Sequence, residues 1–292
     1  IVRGTDRFEL VYQLTVPELS ASGRLWIPLA KPDAHQKFEV LTIQSPIAWH
    51  RALDSAGRND ILVLEPGPAD QGQHITLRYQ VTRKEKRAYR EAGDPKVHLR
   101  AERLVPLNAR FITIASAATA KVKAKDDHAR AQALYRHVLD HMRYSKAGKG
   151  WGRGDALYAC DARTGNCTDF HAYFIALCRA INIPARFAIG FTIPADKNAG
   201  AIGGYHCWAE FHANGKWVPV DISEADKHPE LADYYFGHHP ANRLELSRGR
   251  DITVKPAPKA GPFNYFFGPH LEVNGKEVPV KATFEFKRLP EK

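Results

Sequence analysis

The chain has 292 residues, 44% hydrophobic and 25% charged, an ordinary globular balance that excludes a disordered or fibrous protein and suggests two domains. Lys and Arg number 42 against 32 Asp and Glu, for a formal net charge of +10. That surplus favours acidic partners such as an anionic cell-envelope polymer, but the basic residues are scattered and no motif for sequence-specific nucleic-acid binding accompanies them. No apolar run reaches the roughly 18 residues that a membrane helix needs. The sequence opens at Ile1 rather than Met, which fits a removed signal peptide and leads us to expect a periplasmic or secreted protein.

The first 90 residues read as strands. Phe8–Val16, Arg24–Ile27, Lys37–Ile43, Ile61–Leu64 and His74–Val81 are rich in β-formers. Gly, Pro, Asp and Asn punctuate them, as in an antiparallel sandwich. Pro28 and Pro46 suit strand ends or edges. Residues 86–122 have poor periodicity and read as a connector. A helix follows, with Ala131, Leu134, Tyr135, Val138, Leu139 and Met142 on one face and Asp126 and Asp127 in its first turn. Gly148, Gly150, Gly152 and Gly154 then form a loop around Trp151. No strand precedes it and no Lys-Ser/Thr pair follows, so it is not a phosphate-binding loop.

The next helix carries Phe170, Tyr173, Phe174, Leu177, Cys178 and Ile181 on one face. Asn166 is a good N-cap, and Asp169 three residues later approximates a capping box. Pro184 lies beyond the helix end. Strand-like stretches follow at Arg186–Phe191, His206–His212 and Lys216–Ile222, the last two joined by Asn214-Gly215, a strong hairpin signal. Ile252–Val254 is a further β run, and Asn274-Gly275 marks a second hairpin. These elements predict an N-terminal β-sandwich-like domain over 1–110, an α+β core over 111–250 and a C-terminal β extension over 251–292.

If Asn166 is the cap, Cys167 is the first helical residue. The positive end of the helix dipole then favours its thiolate, and nearby N–H groups can hold an oxyanion. A turn centred on Asn214-Gly215 pairs Ala213 with Lys216 and, by the same count, sets Trp208 opposite Asp221 and His206 opposite Ser223. His206 and Asp221 then share one face as diagonal neighbours. The pattern suits a nucleophile (Cys167), a base (His206) and a carboxylate that orients the base (Asp221). Each alone is more often structural: a buried thiol, a strand histidine, a surface acid.

Other arrangements of the same residues stay open. Cys178 lies on the apolar face and reads as core. Cys167 and His171, one turn apart, could share a structural zinc with Cys207 or Cys160. Cys160 and Cys207 could instead form a disulfide. No cofactor motif is present and no metal is expected.

Gly165-Asn166-Cys167-Thr168-Asp169-Phe170-His171, Ile183-Pro184-Ala185-Arg186, Tyr205-His206-Cys207-Trp208-Ala209-Glu210 and Trp217-Val218-Pro219-Val220-Asp221 together resemble the transglutaminase-like superfamily, in particular its bacterial members, over roughly residues 125 to 245. The resemblance implies a papain-like α+β core, a helix carrying Cys packed on an antiparallel sheet. It also implies that Cys167, His206 and Asp221 form a Cys-His-Asp triad. Trp151, Tyr205 and Trp208 become candidates for lining the acyl groove, with core packing as their alternative. The expected activity is acyl transfer on an amide or ester carbonyl of a protein, peptide or other amide-bearing substrate, through a thioester. Hydrolysis is favoured over transamidation, since no cue for a second amine is visible. The rival is an inactive binding or scaffold protein that keeps the fold.

Overall fold

The computed structural model describes residues 1–123 and 125–290. Six strands open the chain: β1 (Thr5–Thr15), β2 (Gly23–Leu29), β3 (Gln36–Gln44), β4 (Trp49–Leu53), β5 (Asp60–Leu64) and β6 (His74–Lys84). Then come α1 (Ala109–Ala118), α2 (Asp127–His141), β7 (Arg143–Tyr144), α3 (Ala156–Ala162), β8 (Thr164–Gly165) and α4 (Cys167–Ala180). Strands β9 (Ala185–Thr192), β10 (Ala199–Ala201), β11 (His206–Ala213) and β12 (Lys216–Val220) precede α5 (Ile222–Lys227) and α6 (Ala232–Tyr235). The chain closes with β13 (Arg243–Arg248), β14 (His270–Val273), β15 (Lys276–Val278) and β16 (Lys281–Arg288). Two units emerge. One comprises Ile1–Glu85, Ile189–His206 and the chain from Pro240 onward; the other comprises Lys86–Ala188 and Cys207–His239.

The first unit is the expected β-sandwich. One sheet has the order β10-β16-β1-β6-β3 and the other β15-β14-β2-β5-β4. Strands β1 and β6 alternate buried and half-exposed positions along their length, because only one of their faces meets the core. Their inward residues, among them Leu10, Tyr12, Leu77 and Tyr79, pack with Leu25, Ile27, Leu62 and Leu64 from the other sheet. Strand β5 is instead buried almost throughout. The outer side of its sheet is covered by a second cluster in which Trp26, Ile61 and Val63 meet Ile252, Val254, Phe263 and Phe266. The uninterrupted apolar run Ile61–Leu64 reflects this two-sided burial. Pro28 is tolerated inside β2 because β14 pairs only as far as Trp26. Pro28 itself stands opposite Ile61 of β5, two residues past the last β14 partner.

Residues 251–292, expected as a separate extension, supply strands to both sheets of this unit. β14 pairs with β2 and β16 with β1. Ile252 and Val254 form isolated bridges rather than a strand, while β16 was absent from the predicted elements. The Asn274-Gly275 turn is present, with φ of 51° and 76°, values that suit a type I′ hairpin.

The second unit is α+β. The connector expected over 86–122 contains α1, and Lys86–Leu99 joins this unit rather than the sandwich. β12, β11 and β9 lie side by side in that order, and α4 packs on them through Phe174 against Phe211, ring centroids 6.2 Å apart. The β11–β12 hairpin has the expected register, Ala213 opposite Lys216 through to Ala209 opposite Val220. The Glu210 carboxylate accepts from Lys86 Nζ at 3.0 Å, Arg186 Nε at 2.8 Å and Tyr89 Oη at 2.9 Å. The Arg186 guanidinium lies over the Trp217 ring, 3.8 Å from its centroid. A buried network of this kind is stable only when its members satisfy one another, and it holds β9, β11 and β12 in register.

Candidate active site

Helix α4 starts as the sequence predicts. Asn166 is its N-cap, with extended backbone, and its Oδ1 accepts from Thr168 N at 3.0 Å and Thr168 Oγ1 at 2.6 Å. Asp169 completes the capping box by accepting from Asn166 N at 3.0 Å. Cys167 is the first helical residue and only 3% exposed. The orphan N–H groups and the dipole of a 14-residue helix therefore lie at this cysteine.

Asp169 also reaches outside its own helix. Its carboxylate accepts from Gly152 N at 2.7 Å and Gly154 N at 2.9 Å. The glycine-rich loop that carries half-buried Trp151 is thereby pinned to the start of α4. Burial pushes the Asp169 carboxyl upward, against the three backbone N–H groups that pull it down.

Asp221 is fully buried, but not within a strand. Strand β12 stops at Val220, and Asp221 is the N-cap of α5. Its Oδ1 accepts from Ser223 Oγ and Glu224 N, each at 3.1 Å. The predicted strand through Ile222 is therefore two residues too long, because Asp221 caps a helix there and its side chain accepts from Glu224 N. The β11–β12 ladder ends with Ala209 opposite Val220, so the expected pairs Trp208–Asp221 and His206–Ser223 lie beyond it.

The structure ties Cys167 to Asp221 through His171. His171 Nδ1 donates to the Cys167 carbonyl at 2.7 Å, and its Nε2 accepts from Ile222 N at 3.1 Å. Nε2 also lies 3.7 Å from Asp221 Oδ1. With one ring nitrogen donating and the other accepting, the imidazole is neutral and contributes no ion pair to Asp221. Both nitrogens are engaged, so the zinc pair that Cys167 and His171 could have formed is not present. Among the described residues no group of three or more His, Cys, Asp or Glu side chains is arranged to hold a metal ion.

His206 is 8% exposed and opens β11. The next residue, Cys207, lies beside Cys167 and His171. Its thiol hydrogen-bonds the Cys167 side chain and lies 3.6 Å from His171 Nδ1. Burial first, and then Cys167, push the Cys207 thiol well above its ordinary range. All four cysteines are free thiols, so the Cys160–Cys207 disulfide is not formed. Burial raises the Cys178 thiol strongly, as suits the expected core residue.

The three aromatic candidates part company. Trp151 stays at the rim, in the loop held by Asp169. Trp208 is fully buried, with its ring 5.7 Å from that of His239. It packs as core and offers no surface to a substrate, the alternative allowed for it. Tyr205 stacks on Phe267 at 4.4 Å and Tyr265 at 5.9 Å.

Tyr144 was not among the candidates, yet it lies at this site. Burial raises its phenol first, followed by Cys167, Glu224, Cys207 and Asp221. It arrives there because β7 pairs in parallel with β8, Tyr144 opposite Gly165, and because its N–H donates to Asp226 Oδ2 at 2.7 Å. A two-residue parallel pair leaves no periodicity in the sequence.

Comparison with known proteins bears on the fold. Residues 114–222 match the model of the transglutaminase-like superfamily. A Haemophilus influenzae protein of uncharacterised function is 30% identical over 191 residues, 54% of this chain and 52% of the relative. The match thus spans about half the length of that relative. A crystal structure from Cytophaga hutchinsonii, provisionally assigned as a cysteine protease, superposes with TM-score 0.66 at 16% identity, covering 99% of this chain and 92% of that one. It shares the fold. The periplasmic domain of TgpA from Pseudomonas aeruginosa, bound to ethylmercury, gives TM-score 0.41 at 18% identity over 78% of this chain and 93% of its own. Among the described residues no helix is long and apolar enough to cross a membrane.

Proposed function

We propose that the protein, whose residues 114–222 match the transglutaminase-like superfamily, is a cysteine-dependent acyl-transfer enzyme, with Cys167 as nucleophile, His206 as base and Asp221 as the carboxylate that orients it. The observation that carries this reading is the capped start of α4. There a nearly buried Cys167 is the first helical residue and is tied through His171 to the corner that holds Asp221.

His206 takes the Cys167 proton, and the sulfur attacks an amide or ester carbonyl. The backbone N–H of Cys167, at the start of α4, donates to the oxyanion. The C–N or C–O bond breaks, and His206 returns the proton to the departing amine or alcohol. Water, activated by His206, then attacks the thioester, releasing the acid and regenerating the thiol. An amine in place of water would give transamidation. Trp151, in the loop that Asp169 holds, and Tyr144, opposite Gly165, are the side chains proposed to meet the acyl group. Protein or peptide amides are the substrate class that fits, and the surplus of 10 positive charges favours acidic ones, including those attached to anionic envelope polymers.

Iodoacetamide labelling near neutral pH tests the nucleophile. Wild type should lose one thiol fast, at a site identified as Cys167 by peptide mapping, and Cys167→Ala should lose the fast phase. Equal slow labelling in both proteins would sink the proposal. Turnover is then read with a glutamine-containing peptide, with and without hydroxylamine, which separates hydrolysis from amine transfer. Fast labelling with no turnover of peptide, ester or glutamine substrates would move the protein to the binding class.

A further inference from the structure

We infer that His171 is a positioning residue, a neutral strut that fixes the nucleophile Cys167 against the carboxylate Asp221. The inference rests on the catalytic reading of Cys167 and Asp221 given above. It concerns a side chain that the triad does not use and that the superfamily match does not mark.

His171 is completely buried on the fourth residue after Cys167. A buried imidazole must place both nitrogens against partners of opposite kind. Here Nδ1–H points to the Cys167 carbonyl at 2.7 Å, on its own helix, while Nε2 takes the Ile222 amide at 3.1 Å. Ile222 is the first residue of α5, so its N–H is one of those a helix leaves without an internal partner. His171 supplies that partner from another helix. One rigid ring thus joins the backbone of the nucleophile to the backbone immediately after the carboxylate.

The consequence is geometric. The ring has no soft torsion between its two nitrogens, so the separation of the Cys167 and Ile222 backbones is set by a planar five-membered ring plus two hydrogen bonds. Catalytic groups need placement to within a fraction of an ångström, and pairs held by flexible side chains rarely achieve it. The ionisable groups facing the ring are Cys167 and Cys207 on one side and Asp221 on the other. Protonating Nε2 would put an N–H against the Ile222 N–H, so the contacts select the Nδ1–H tautomer. His171 touches no reacting atom. It acts through the two residues it connects.

Two measurements test this. First, the ring nitrogens of His171, assigned by its absence from His171→Phe, should show a protonated Nδ1 and an unprotonated Nε2 in long-range 15N–1H NMR spectra at neutral pH. An Nε2–H tautomer or an imidazolium would overturn the strut. Second, the rate of Cys167 alkylation by iodoacetamide is followed against pH in wild type, His171→Phe and His171→Gln. Phe keeps the ring volume and loses both hydrogen bonds. Its alkylation midpoint should rise by about one pH unit, with labelling about fivefold slower at the wild-type midpoint. Gln, whose Oε1 can accept from Ile222 N, should fall between the two. A merely structural histidine would lower the melting temperature and leave the midpoint in place, and an unmoved midpoint in both folded variants would overturn the proposal. Should His171→Phe fail to fold, His171→Gln and the tautomer measurement decide. If instead wild-type Cys167 labels like an ordinary thiol, the enzyme reading fails, while the NMR result still judges the strut by itself.

Discussion

Helices α2 and α4 begin alike and end up in different surroundings. Each has a polar N-cap, Asp126 for α2 and Asn166 for α4, and each shows one apolar face in the sequence. In α2 that face is the buried one: Ala131, Leu134, Tyr135 and Val138 point inward and the rest of the helix meets solvent to varying degrees. In α4 every residue from Cys167 to Arg179 is buried, because α1, α2 and α3 surround it on one side and α5 on another. Its polar residues do not mark a wet face. Thr168 bonds the cap, Asp169 gathers three N–H groups, His171 links two helices, and Arg179 holds Ala185 O and Glu102. Polar side chains on an enclosed helix must be bonded, so each is a junction. The helix that looks amphipathic but is buried all round is the one that carries the candidate nucleophile.

Substitution on the second face of each helix should separate them most sharply. Ala172→Glu in α4 places a carboxylate in the interior with no partner, and we expect a loss of about 4 kcal/mol or an insoluble protein. Gln132→Glu, on the exposed side of α2, should change stability by less than about 0.5 kcal/mol. Urea titrations of both variants make the comparison. A wild-type midpoint for Ala172→Glu would mean that α4 is not enclosed.

Next in size is Gly165→Ala, just before the α4 cap. A Cβ there would stand 2.5 Å from both Cβ and Oδ2 of Asp169, so either the capping box or the β7–β8 pair must shift. Overpacking of this kind costs about 1–3 kcal/mol. Because the displaced group is the anchor of the Trp151 loop, the variant should also show faster proteolysis between Gly148 and Gly154 at temperatures where it remains folded.

How far these differences can be read in advance depends on the range of the interaction. The start of α4 is local, and Asn166, Cys167 and Asp169 disclose it. The β11–β12 register is also local, set by Asn214-Gly215, whose φ values of 52° and 71° are those of a tight hairpin turn. The end of β12 is less plain. Its strand pattern runs on to Ile222, and only the Asp221…Glu224 spacing, a helix-start signal, shows where it stops. Enclosure of α4 has no local signal beyond the small and apolar Ala172, Ile175 and Ala176 on its second face. The C-terminal strands join partners some 250 residues away, such as Leu271 opposite Leu25, and nothing in either stretch names the other. The same holds for Tyr144 and Gly165, and for the placement of His171 against Ile222. Motif singles out Cys167 as the candidate nucleophile, whereas the side chains that surround it come from tertiary pairing.

Asp169→Asn tests the buried cap with a smaller change. Asp169 Oδ2 accepts from Asn166 N and Gly152 N, and Oδ1 from Gly154 N, so an amide must turn an N–H toward at least one donor. The expected loss is about 2 kcal/mol. The pH dependence has a definite sign. Burial raises the folded-state carboxyl, so the folded protein holds this proton to higher pH than the unfolded chain does. That contribution is complete below the unfolded value of about 4 and is lost as pH rises through the folded value. Asparagine has no such term. The gap between wild type and variant, measured by urea titration from about pH 4 upward, should therefore narrow as pH rises. A gap that widens would reverse the assignment of burial as the dominant influence on Asp169.

The smallest effect belongs to the cap of α2. Asp126 is exposed, and its side chain accepts from Ala129 N at 2.9 Å. Asp126→Ala removes that acceptor, but water can replace it, so the loss should be about 1 kcal/mol. Asp126→Asn keeps the acceptor and forfeits only the attraction of a charge to the helix dipole, a few tenths of a kcal/mol that added salt should erase. The matching change in α4, Asn166→Ala, strands both the N–H and the hydroxyl of Thr168 where water does not reach, since Thr168 is fully buried. It should cost at least twice as much as Asp126→Ala and be insensitive to salt. Equal losses from the two alanine variants would show that the caps differ in name only, and that burial around the start of α4 does not stiffen the turn on which Cys167 sits.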